Sequence, residues 1–114
     1  MADVLKLLVT TPANRSPSAT TNTTIYTTPA LTTAMLSRIM VANRSATATT
    51  FRIAIIESGG VIGNQHYIAY DAPIGGNDTV AIPVGAGLAT GDYIVIYATL
   101  ATLTFTPMGI EVTA

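Results

Sequence analysis

His66 is the single histidine of the chain and stands in Gln65-His66-Tyr67-Ile68-Ala69-Tyr70. Acyl-transfer chemistry would need a nucleophile held beside it and an acid behind it, and no Gly-x-Ser-x-Gly elbow occurs. One histidine without any cysteine cannot supply the three or four ligands of a zinc site. His66 is therefore read as a residue of a strand surface or an interface. The carboxylates Asp3, Glu57, Asp71, Asp78, Asp92 and Glu111 fall at expected strand ends or turns, where an Asp commonly bonds its own backbone. Asp71 and Asp78 flank Pro73-Ile74-Gly75-Gly76, yet their spacing matches no calcium loop. Gly85-Ala86-Gly87 comes closest to a phosphate loop, but it leads toward a strand and not a helix N-terminus, so it reads as a tight turn. The expectation is no catalytic residue, no metal and no cofactor.

Binding chemistry is better represented. Tyr26, Tyr67, Tyr70, Tyr93 and Tyr97 are amphipathic rings that suit either a subunit contact or a sugar-binding face. Four Asn-x-Ser/Thr triplets begin at Asn14, Asn22, Asn43 and Asn77, and without a recognisable secretory signal they read as products of an Asn- and Thr-rich composition. The four arginines and one lysine are scattered and net charge is −1, which argues against nucleic acid, since phosphate binding needs a concentrated basic face. Charged residues make up only 10% of the 114 residues, against ~25% in ordinary soluble domains. A monomer of this mass should expose roughly 5,900 Å², or one charge per ~540 Å². So thin a charge implies that part of the surface is covered by a neighbouring molecule.

The elements that position these residues are strands. Twenty Thr, together with Val, Ile and Tyr, favour a pleated, half-buried surface. Short apolar runs separated by turn signals place strands near 24–28, 34–42, 49–57, 65–70, 78–83, 92–99, 101–106 and 109–113. The expected fold is all-β, an antiparallel sandwich of jelly-roll or immunoglobulin-like type with about eight strands. In 49–57, Phe51, Ile53 and Ile55 share one face and Arg52, Ala54 and Ile56 the other; in 92–98, Tyr93, Val95 and Tyr97 oppose Ile94, Ile96 and Ala98. Both faces are apolar, as in a sheet with its core on one side and a second layer or another chain on the other.

Residues 1–24 read as an N-terminal arm and linker, and 25–114 as the sandwich domain. The arm carries Val4, Leu5, Leu7 and Leu8 before a Pro-, Ser- and Thr-rich stretch, with no pattern of a signal peptide and no run of the ~18 apolar residues a membrane helix requires. Its leucines must either fold back as an edge strand or dock on another subunit.

Four stretches together resemble small β-sandwich virion proteins of tailed bacteriophages, cyanophages among them: Ile25 to Ala30, Val41 to Ala54, His66 to Asp71 with Asn77-Asp78-Thr79, and Leu88 to Ala98. The resemblance spans roughly residues 25–112. It implies a capsid decoration (cement) protein, present as trimers on the outer capsid surface of the virion and made in the host cytoplasm. Its partner would be the major capsid protein, with no nucleic acid, membrane or small-molecule substrate involved. Tail, neck, baseplate or fibre proteins and host-glycan-binding modules share the pattern and are the alternatives. For the decoration role, Val4, Leu5, Leu7 and Leu8 are the expected apolar contact and Arg15, Arg38, Arg44 and Arg52 its rim.

Overall fold

The computed structural model describes residues 2–9 and 14–113. Within them the chain forms β1 (Ala2–Leu7), β2 (Thr23–Thr27), β3 (Thr32–Asn43), β4 (Thr49–Ile56), β5 (Tyr67–Ile74), β6 (Thr79–Leu88), β7 (Tyr93–Ala98) and β8 (Leu103–Thr113), with one 3-10 turn at Asn64–His66. Two four-stranded antiparallel sheets result, ordered β1-β8-β3-β6 and β2-β7-β4-β5. The chain crosses between the sheets after β1, β2, β3, β5, β6 and β7. This is the two-sheet, eight-strand order of a jelly roll, which decides between the two sandwich types left open by the sequence.

The expected alternation is observed. Phe51, Ile53, Ile94, Ile96 and Ala98 of the second sheet meet Leu36, Ile39, Val41, Leu103 and Phe105 of the first in one buried core. Phe51 and Phe105 join the layers edge to face, with ring centroids 6.1 Å apart at 75°. On the opposite face of the second sheet, Ala54, Ile56 and Val95 form a smaller cluster covered by Ile62, Tyr67 and Tyr93. The second layer over that region therefore comes from the chain's own loop between β4 and β5.

Two expectations need correction, and one alternative is decided. The arm folds back as an edge strand, because β1 pairs with β8 over its whole length and Leu8 is fully buried in the core. The stretches 101–106 and 109–113 are not two strands but one, β8, which runs through Pro107 and Gly109. Pro107 is tolerated because it lies beside the register shift between Leu36 and Arg38, where β3 bulges. Gly109 is required by close approach: a Cβ there would run into the Met35 carbonyl and come within 3.0 Å of Leu8 Cδ1. The strand expected at 65–70 begins only at Tyr67, and His66 belongs to the 3-10 turn.

Residues 14–20, read as linker, form a strap across the open side of the sandwich. The Arg15 carbonyl accepts from Phe105 N–H (2.8 Å) in the first sheet, and Thr20 N–H donates to the Ala98 carbonyl (2.8 Å) in the second. Pro17 between them is buried.

Gly109→Ala is expected to lower the unfolding free energy by ~1–3 kcal/mol through overpacking. Gly87→Ala, where an added Cβ meets nothing within 4 Å, should leave it near the original value. Urea unfolding midpoints distinguish the two. The same measurement should show Leu8→Ala costing ~2–5 kcal/mol and Leu5→Ala less than ~0.5 kcal/mol, since only Leu8 is in the core.

Candidate functional site

Strand parity sorts the arm's leucines. On β1, Leu5 and Leu7 lie opposite Ile110 and Met108 of β8, and Ile110 lies opposite Met35 of β3. All five point away from the second sheet. Leu5 is 81% exposed, Met35 48%, Leu7 41% and Ile110 38%. They form a continuous apolar stripe with a groove of about 500 Å³ lined by Leu5, Lys6, Leu7, Ser37, Arg38, Met108 and Gly109. Val4 and Leu8 take the other side of β1: Leu8 is core, and Val4 sits opposite Glu111. The four residues expected as a single contact are thus split between two faces by the two-residue period of a strand.

The arginines divide similarly. Arg38, opposite Met108, is exposed beside the stripe and has no hydrogen-bond partner among the described residues. Arg15 donates from Nε to the Phe105 carbonyl (3.1 Å) and from Nη2 to Thr106 Oγ1 (2.7 Å). Arg44 donates from Nε to Thr104 Oγ1 (3.1 Å) and from Nη2 to the Ala101 carbonyl (3.1 Å). Thr104 and Thr106 share the outward parity of Met108 and Ile110 on β8, so three arginines border the apolar stripe. Arg52 does not: it lies on the second sheet, where it pairs with Asp71. Glu57, Asp71 and Asp92 also belong to the second sheet and its loops, while Asp3 on β1 and Glu111 on β8 place carboxylates on the first sheet beside its basic residues.

Lys6 and Glu111 close the edge between the sheets. Lys6 Nζ is 3.2 Å from Glu111 Oε1, while the Tyr26 hydroxyl of β2 donates to Glu111 Oε2. Burial, followed by the adjacent Glu111 carboxylate, pushes the Tyr26 phenol well up, so it remains a donor. Tyr26 is itself a core residue, which removes it from the expected sugar-binding face; Tyr67, Tyr70, Tyr93 and Tyr97 remain on the outer side of the second sheet.

His66 is buried and organises the loop over the second sheet. Its Nδ1 accepts from Gly63 N–H (2.9 Å), which leaves Nε2–H to donate to Glu57 Oε2 (3.0 Å). The Tyr93 hydroxyl donates to the Gly60 carbonyl (2.6 Å) in the same loop. Asp92 accepts from Ser58 N–H (2.9 Å) and Ala89 N–H (2.8 Å), joining two loops. The partners of His66 among the described residues, Gly63 and Glu57, describe a clasp. Asp71 is engaged by Arg52, and Asp78 accepts from Thr79 N–H (2.8 Å). Among the described residues no group of three His, Cys, Asp or Glu side chains is placed to hold a metal ion.

No family model, curated protein or solved structure matches the chain. Function is therefore argued from these two faces.

The Glu57 carboxyl is held below its ordinary value of 4.5, first by a hydrogen bond from its own backbone and then by His66. A carboxyl lowered by folding contributes stability that is present above its ordinary value and is lost as pH falls through the lowered one. Stability should therefore fall as pH drops below about 4.5 and the carboxyl protonates, and Glu57→Gln should flatten that slope. Urea midpoints above and below that pH provide the measurement.

Proposed function

We propose that this chain is a structural protein of a virion, a capsid decoration protein that docks through the outer face of its first sheet. The observation that carries the reading is the stripe of Leu5, Leu7, Met35, Met108 and Ile110, bordered by Arg15, Arg38 and Arg44. Apolar side chains in a contiguous patch with charges at its margin form the pattern of a protein contact: the centre supplies desolvation and the rim supplies orientation. The basic rim fits a partner surface with carboxylates around an apolar centre. In this reading the partner is the major capsid protein, and copies stand as trimers on the outer capsid surface after synthesis in the host cytoplasm.

A ligand that binds only the joined state of neighbouring capsid subunits stabilises that state by mass action. Such a role needs a rigid, flat contact and no chemistry, so no residue is assigned a catalytic part, and no cofactor or nucleic acid is involved. Jelly rolls occur in both viral capsid and lectin domains, so the fold is compatible with the role without establishing it.

Leu5→Arg and Ile110→Arg are each expected to reduce attachment to purified capsids by at least about tenfold, and Leu5→Arg should leave the unfolding midpoint unchanged, because Leu5 is almost wholly in water. Co-sedimentation with capsids provides the measurement, and wild-type attachment by both variants would overturn the docking face. Quantitative mass spectrometry of virions should find hundreds of copies each. A few or a few dozen would assign the protein to the tail or neck.

A further inference from the structure

The outer face of the second sheet carries an arrangement that a docking role for the first sheet does not use. Phe51 of β4 pairs with Ala72 and Ile53 pairs with Ala69, so Tyr70 and Asp71 of β5 both stand opposite the single residue Arg52. This is a β-bulge, and it turns two successive side chains toward one neighbour. Asp71 adopts φ of 50°, in the left-handed region that is unfavourable for most side chains. The strain is offset by what it allows: Asp71 Oδ1 accepts from Arg52 Nε at 2.7 Å, and the Arg52 guanidinium lies 4.2 Å from the Tyr70 ring centre and 4.4 Å from that of Tyr97. Tyr67 meets Tyr70 edge to face at 4.9 Å and 81°. The two rings form a floor and a wall. Between them and Asn64 opens a cleft of about 400 Å³, within the size range of small-ligand sites.

We infer that this cleft binds a neutral saccharide. Tyr70 keeps 55% of its surface in water although Arg52 and Tyr67 fix its orientation, so a rigid aromatic surface is presented and not buried. The Arg52 guanidinium covers part of that ring, and the Tyr67 and Tyr70 surface that lines the cleft is what can stack on the C–H face of a pyranose. The groups around it match the hydroxyls at the sugar's edge. Asn64 offers an amide donor and acceptor and makes no hydrogen bond with the rest of the described chain. Arg52 and Asp71 are engaged with each other and with the Tyr70 ring and do not line the cleft. Its lining residues Asn64, Tyr67 and Tyr70 carry no charge, which favours an uncharged polyol over an acidic or basic ligand. Ring orientation and polar partners are set before any ligand arrives, which lowers the ordering cost of binding.

The test is amide and aromatic NMR of the full chain titrated with neutral hexose hexasaccharides of gluco, galacto and manno configuration, up to about 10 mM each, beside an acidic hexuronate oligomer of equal length. At least one neutral oligomer should shift the Asn64 side-chain amide and the Tyr67 and Tyr70 ring signals in a saturable way, and the acidic one should bind more weakly. Tyr70→Ala should weaken binding by about tenfold or more, Tyr70→Phe should keep it within about threefold, and Asn64→Ala should weaken it, the last two with unchanged unfolding midpoints. Absence of saturable shifts with every neutral oligomer, or shifts that survive Tyr70→Ala, would overturn the inference. So would loss of capsid attachment in Tyr70→Ala without any saccharide binding, because the cleft would then be a protein contact. Leu5→Arg should leave saccharide binding intact, so this inference and the docking face of the first sheet fail separately.

Discussion

The passage of β8 between β1 and β3 is the constraint on which the remaining arrangement depends. Its inward residues, Leu103 and Phe105, build the core, and its outward residues, Met108 and Ile110, build the apolar stripe. Gly109 lets the backbones of β8 and β3 approach with Leu8 pressed against them. Glu111 at its far end receives Tyr26 from the second sheet and Lys6 from β1. The Phe105 amide and carbonyl hold the strap through Arg15. Because a strand alternates its side chains, the element that closes the core also has to present a surface.

The second sheet meets the same constraint differently. Its outward residues are also apolar near Ala54, Ile56 and Val95, but the loop between β4 and β5 folds over them, held by His66, Glu57 and Tyr93. Where that cover ends, Tyr70, Tyr97 and Arg52 occupy the surface and satisfy one another by stacking and charge. The two outer faces are therefore chemically distinct: one is an apolar stripe bordered by arginines, the other an aromatic corner with a neutralised ion pair. Arg15, Arg38 and Arg44 lie on the side of the first sheet, which also carries the carboxylates Asp3 and Glu111.

Much of the fold was legible in the residues. The Thr-, Val- and Ile-rich runs marked β2, β3, β4 and β7 to within a few residues, and alternation placed Phe51 and Ile53 inward and Ala54 and Ile56 outward. However, β6 runs on to Leu88 through Gly85-Ala86-Gly87, which reads as a tight turn in the sequence. The division of 103–113 into two strands followed from treating Pro107 and Gly109 as turn signals. That reading has no access to the bulge in β3 and the close backbone contact that accommodate them. His66 looked like a surface residue because a hydrogen-bonded clasp to Gly63 and Glu57 carries no periodic signature. The tyrosines were recognised as a possible binding group, but Tyr26 could not be separated from the others without knowing that β2 turns it toward Glu111.

The sequence by itself determined an all-β chain, the faces of its central strands and the scarcity of charge, because propensity, two-residue periodicity and composition are local quantities. The tertiary structure alone decided that the strands follow a jelly-roll order and that Leu8 is core while Leu5 is surface. It also decided that Tyr70 and Asp71 converge on Arg52. These depend on which strands become neighbours and in what register. Register is set by long-range pairing, as far apart as Ala2 and Thr113, where a shift of one position exchanges the inside of a strand for its outside.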